Sequence, residues 1–190
     1  MSRTSGPPET VVLVEGVSDR LALEALAERR GRDLDAEGVS IAPIGGSKNV
    51  GRFLDRFGPR GADLRLAGLC DVAEEDDYRR GLERAGLGCG LTRAQMGSLG
   101  FFVCVADLED ELIRSLGAVR MEQVIDAQGE LGPFRTFQRQ PAQRGRTEEA
   151  QLRRFMGTLS GRKIRYAPLL VRALDLTRVP PPLDGVLAHL

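Results

Sequence analysis

The chain has 190 residues, enough for one substantial domain, and its apolar fraction of 42 % supports an ordinary core. Its 27 basic and 27 acidic residues cancel to a formal net charge of zero, so no global field draws the protein to polyanions and any such binding must be local. No apolar run approaches the ~18 residues that a membrane span needs, Cys70, Cys89 and Cys104 are too few and too separated for a zinc site or a disulfide framework, and a lone histidine, His189, excludes histidine-dependent nucleases and Ser-His-Asp enzymes.

Residues 1–9 begin Met1-Ser2-Arg3-Thr4-Ser5-Gly6-Pro7-Pro8, which lacks an apolar core segment and reads as a flexible N-terminus, not a signal peptide. A cytoplasmic location without membrane contact is the expectation. Val11-Val12-Leu13-Val14 is a continuous apolar run of the kind found in strands buried on both faces of a parallel sheet. Glu15 emerges at the carboxyl end of that strand, where open α/β sheets place their ligands. Gly16 permits a tight turn, Ser18 is the expected N-cap, and Asp19 falls in the first turn of a helix over 18–30, with Leu21, Ala22, Ala25 and Leu26 on its apolar face.

The alternation of strand and helix continues. Val39–Ile44 reads as a second strand, Gly45-Gly46-Ser47-Lys48-Asn49 as a turn into a helix bearing Phe53, Leu54 and Phe57, and Leu64–Cys70 as a third strand ending in Asp71. A polar helix over Asp76–Arg84 and a fourth strand over Phe101–Val105, ending near Asp107, complete the pattern of a parallel sheet with covering helices. Beyond it, Asp107–Leu116, Val119–Gln128, Glu148–Met156 and Lys163–Leu174 read as helices, Gln138–Thr147 as a polar loop, and the tail from Pro180 as a poor helix at best.

Val14-Glu15-Gly16 after the first strand, Gly45-Gly46 after the second and Gly68-Leu69-Cys70-Asp71 ending the third together resemble the Toprim domain. The resemblance implies an α/β, Rossmann-like fold: a central, mostly parallel four-stranded sheet over residues 10–117, with a helical C-terminal extension over 118–190. It also implies Mg²⁺ or Mn²⁺ held by the Glu after the first strand and by an Asp-x-Asp after the third, with that Glu as general acid or base. Glu15 followed by Asp19 is similar to the OLD (overcoming-lysogenization-defect) nucleases. On this resemblance Glu15, Asp19, Asp71, Glu109 and Asp107 are expected metal ligands, and Lys163, in Ser160-Gly161-Arg162-Lys163, is the expected stabiliser of the transition state.

One position departs from the pattern: Asp71-Val72-Ala73 puts alanine where the second acid belongs. Glu74 follows as a candidate substitute, although Glu74 to Asp77 reads first as a solvated acidic helix start. Lys48 beside the glycine turn is a candidate phosphate contact. Arg162 and Arg165, with Arg135, Arg139, Arg144, Arg146, Arg153 and Arg154, make the carboxyl third locally basic and a candidate nucleic-acid groove.

The resulting expectation is a Mg²⁺- or Mn²⁺-dependent endonuclease that hydrolyses phosphodiester bonds of DNA with one or two metals. The alternatives are a Toprim ribonuclease acting on RNA and a non-catalytic module that binds nucleic acid or a partner. OLD proteins carry an N-terminal ATPase, and these residues contain no Gly-x-x-x-x-Gly-Lys-Ser/Thr loop, so a separate ATPase acting in trans is expected. A homodimer is compatible with cutting both strands.

Overall fold

A computed structural model describes residues 8–190, so most of the expected flexible N-terminus lies outside the described residues. The elements in chain order are β1 (Thr10–Val14), α1 (Val17–Arg29), β2 (Val39–Pro43), α2 (Val50–Phe57), β3 (Arg65–Asp71), α3 (Glu75–Arg84), α4 (Arg93–Ser98) and β4 (Phe101–Cys104). They are followed by α5 (Leu108–Leu116), α6 (Ala118–Ala127), α7 (Leu131–Gln138), α8 (Glu148–Met156), α9 (Arg162–Ala173) and α10 (Pro181–His189).

The strands form one all-parallel sheet in the order β2-β1-β3-β4. Because side chains alternate along a strand, each strand feeds two cores. Val12, Val14, Ala67, Leu69 and Cys104 face α1 and the helices from α5 onward. Val11, Leu13, Leu66, Cys70, Phe101 and Val103 face α2, α3 and α4. The register pairs Leu13 with Gly68 and Gly68 with Phe101. The Phe101 ring lies over the glycine: a Cβ there would sit 2.6 Å from Phe101 Cδ1 and 3.0 Å from the Leu13 carbonyl oxygen.

Three expectations are corrected. The first helix starts at Val17 with Gly16, not Ser18, as its N-cap. It is also not one-faced: Ala22, Leu23, Ala25, Leu26 and Ala27 are all buried, because α1 is enclosed between the sheet and α9. The tail is a full helix, since Pro181 and Pro182 occupy the first turn, where a missing N–H costs nothing. Its Leu183, Val186 and Leu187 are buried against β3 and β4, each such side chain contributing about 1.5–3 kcal/mol by leaving water.

Residues 118–190 are therefore not an appendage. Leu170 and Val171 of α9 share one apolar core with Val12 and Val14 of β1. Arg29 at the end of α1 donates to the carbonyl oxygens of Val171 (2.9 Å) and Leu174 (2.7 Å), tying the two segments together.

Filling the space under Phe101 is expected to destabilise the fold: Gly68→Val should lower stability by about 1–3 kcal/mol through overpacking. The urea midpoint, read by far-UV circular dichroism, measures it.

Candidate metal centre

The sheet order sets β1 beside β3, and both strands end at the same edge. Glu15 follows the last residue of β1, and Asp71 is the last residue of β3. Residues 72–74 then form a 3₁₀ turn. With three residues per turn, positions three apart eclipse one another. Glu74 is thereby carried back over Asp71, and its extra methylene extends its reach, whereas Ala73 points away and is exposed.

Glu15, Asp71 and Glu74 each offer a carboxylate oxygen, all three within 4.8 Å of one another. Glu74 Oε2 is buried without a hydrogen-bond partner among the described residues. Glu74 is thus not the solvated helix-start acid that the sequence suggests first. Its neighbours are instead matched by cations: Glu75, itself buried, pairs with Arg79 and Arg93, Asp76 with Arg79, and Asp77 with Lys48 and Arg80.

Burial and mutual repulsion set the electrostatics. Asp71 is pushed up to about 8, first by desolvation and then by the charges of Asp19, Asp107, Glu15 and Glu74. Glu15 is raised by burial and by the Glu74 charge, with Lys163 pulling the other way. Asp19 is raised to about 6, chiefly by burial, although its Oδ2 accepts the Gly16 N–H at 2.8 Å.

The loop after β4 supplies the opposite wall. Asp107 caps α5 by accepting the Asp110 N–H at 2.8 Å, and its second oxygen accepts from Arg153 at 2.7 and 2.9 Å. Glu109 is buried and its Oε2 accepts from Lys163 Nζ at 2.7 Å, joining α5 to α9. Burial disfavours the Lys163 cation, but the Glu109 carboxylate, with the charges of Asp107 and Asp71, outweighs that and raises its pKa. Glu111, which sequence reasoning passed over, is buried; its Oε1 accepts the Val105 N–H at 2.7 Å and fixes the loop. Among four acids at one helix start, no pattern distinguishes it.

The remaining expected contacts lie elsewhere. Arg162 is 4 % exposed, donates to the Phe155 carbonyl at 2.6 Å and stacks on the Phe155 ring, so it braces the fold and does not face a polyanion. Arg165 is exposed but pairs with Glu130 at 2.7 Å. Arg135 and Arg153 of the same third are also paired, with Glu122 and Asp107. Lys48 extends into a cleft between α2 and α3. His189 packs against Gly100, just before β4, at the edge of the sheet opposite the acids.

Residues 9–71 match the family described as overcoming lysogenization defect protein-like, TOPRIM domain. This segment is similar to an OLD-like Toprim domain. The fold of the chain is that of OLD C-terminal regions. The one from Xanthomonas campestris pv. campestris superposes with a TM-score of 0.75 at 23 % identity, covering 96 % of this chain and 91 % of that one. The one from Burkholderia pseudomallei gives 0.75 at 19 % identity, covering 96 % of each. No curated protein matches the sequence. No helix among the described residues is long and apolar enough to cross a membrane.

Glu15, Asp71 and Glu74 fit a divalent cation: three converging carboxylate oxygens are the kind of donor that Mg²⁺ and Mn²⁺ prefer, and Glu74 also holds a buried oxygen without a partner among the described residues. The raised acids give a pH test. The ordinary value for Asp71 is 3.8 and its folded value is about 8, so between these the folded chain holds a proton that the unfolded chain has released. Stability in EDTA is expected to fall as pH rises through this window and to level off above it. Asp71→Asn should flatten the slope, and added Mn²⁺ should raise the melting temperature more at the alkaline end than at the acidic end; thermal melts across pH measure both.

Proposed function

We propose that the chain is a Mg²⁺- or Mn²⁺-dependent nuclease that hydrolyses phosphodiester bonds of DNA. The observation that carries this reading is the convergence of Glu15, Asp71 and Glu74, with Glu74 standing in for the acid that Ala73 lacks. A divalent ion at such a site supplies positive charge against phosphoryl oxygens and lowers the pKa of water.

In this reading Glu15, Asp71 and Glu74 would hold the ion, and Asp19 and Glu109 would stand behind them as further carboxylate donors. Both oxygens of Asp107 already have protein partners, so it shapes the loop and adds charge. Glu15, whose carboxyl is raised by burial and by Glu74, takes or gives the proton at its carboxylate. Lys163 keeps its proton beside Glu109 and sets a point charge against the negative charge that builds on phosphate during cleavage. A second copy of the chain would serve the other strand, and an ATPase would act in trans.

The decisive assay is cleavage of supercoiled plasmid by the purified chain in Mg²⁺ or Mn²⁺. Nicked or linear product that disappears with EDTA and with Asp71→Ala is the expected result, and Lys163→Ala should slow cleavage on the order of 100-fold. Glu74→Gln should weaken Mn²⁺ binding measured by calorimetry. Plasmid binding without cleavage at high protein concentration would replace the nuclease with a non-catalytic module, and cleavage confined to RNA would replace it with a ribonuclease.

A further inference from the structure

The second basic feature of the molecule lies away from the acids, where α2 crosses α3. The helices approach closely because of two glycines. A Cβ at Gly81 would lie 3.0 Å from Leu54 Cδ1 and 3.1 Å from Val50 Cγ1, and one at Gly51 would lie 3.2 Å from Arg84 Nη2. The Arg84 side chain therefore lies across the crossing, over Gly51.

Two clefts open on either side of it. One, of about 610 Å³, is lined by Ser47, Lys48, Asp77, Arg80 and Arg84 among others. The other, of about 540 Å³, is lined by Lys48, Gly51, Arg52, Asp55, Arg60 and Arg84 among others. Lys48 and Arg84 line both, so the two run into each other. The near end starts at Asp77, one helical turn from Glu74 of the acidic trio.

The charges along this course are arranged, not scattered. Asp77 accepts from Lys48 at 3.0 Å, Ser47 at 2.8 Å and Arg80 at 2.8 Å, which holds both cations at the cleft wall. Arg52, Arg60 and Arg84 have no carboxylate within ion-pair distance among the described residues, and all three are exposed. The Arg52 guanidinium rests over the Phe53 ring at 5.4 Å, which limits its freedom before any ligand arrives. In a chain of zero net charge, unpaired guanidinium groups spaced along a continuous cleft are a local anion track.

We propose that this α2–α3 cleft seats the sugar-phosphate backbone of duplex DNA and leads it to the acidic trio, with Arg52, Arg60 and Arg84 as phosphate contacts and Asp77 as the positioning residue for Lys48 and Arg80. The proposal rests on the reading of the chain as a protein that acts on nucleic acid. It names a surface in the amino-terminal half, in place of the arginines of the carboxyl third. Phosphate recognition by the fork of a guanidinium accounts for arginine at the three unpaired positions.

The test is fluorescence anisotropy of a labelled DNA duplex with the full chain, in EDTA and again in Ca²⁺, over a series of salt concentrations. Replacing all three by glutamine (R52Q, R60Q, R84Q) is expected to weaken binding on the order of 10- to 100-fold and to lower the slope of log Kd against log salt by about 2 to 3. The melting temperature should hold, since the three side chains are exposed. A charge-matched variant in the carboxyl third (R139Q, R144Q, R146Q) is expected to bind as the parent does. Unchanged binding by the first variant, equal loss in both variants, no duplex binding by the parent in either buffer, or arginine-dependent binding of an RNA duplex alone would each overturn the track. Arginine-dependent DNA binding by a chain that cuts nothing supports the track and removes only the nuclease.

Discussion

Carboxylates repel one another, and a trio whose oxygens lie within 4.8 Å must be held together by something stronger than that repulsion. Here the holding is done by the parallel sheet. β1 pairs with β3 along the whole of β1, with Val14 set against Leu69, while Asp71 at the end of β3 is held in register with Cys104 of β4, which fixes where Glu15 and Asp71 emerge. The same edge carries the loop after β4, pinned by the buried Glu111 carboxylate to the Val105 amide. The repulsion that remains appears as raised proton affinity, most strongly at Asp71. A bound cation would relieve this repulsion, which the backbone enforces.

The cations of the protein are distributed to leave that repulsion in place. Several arginines near the acidic run and in the carboxyl third are committed to other carboxylates: Arg79 and Arg93 to Glu75, Arg135 to Glu122, Arg165 to Glu130. Arg153 neutralises Asp107 at the rim. Lys163 is the exception, approaching the acids through Glu109 from a helix far away in sequence. Its position depends on α9 lying against α1, hence on the apolar core shared by both halves of the chain. The carboxyl-terminal helices therefore bring a lysine up to Glu109 beside the acids.

Much of the fold was legible because it rests on local signals. Four apolar strand runs alternating with helices specify a parallel sheet, and the acids at the strand ends follow from strand direction alone. The signals failed where tertiary burial overrides the local pattern. The helix at Pro181–His189 was hidden by its prolines, and α1 read as one-faced because the sequence does not show that α9 covers its other side. The family resemblance reached Asp71 and Lys163 but stopped at Ala73.

The sequence by itself determined the class of fold, the edge of the sheet at which chemistry is possible, and the residue types available there. Those are properties of strand periodicity and of where an acid follows a strand. Only the tertiary structure decided which acids converge. A 3₁₀ turn, not a spacing rule, brings Glu74 to Asp71, and burial of Arg162 removes it from the surface that its charge suggested. It also decided that Asp107 is already engaged while Lys163 faces Glu109. Convergence and exposure depend on how distant segments pack, and a linear pattern carries no distance between residues that are neighbours only in space.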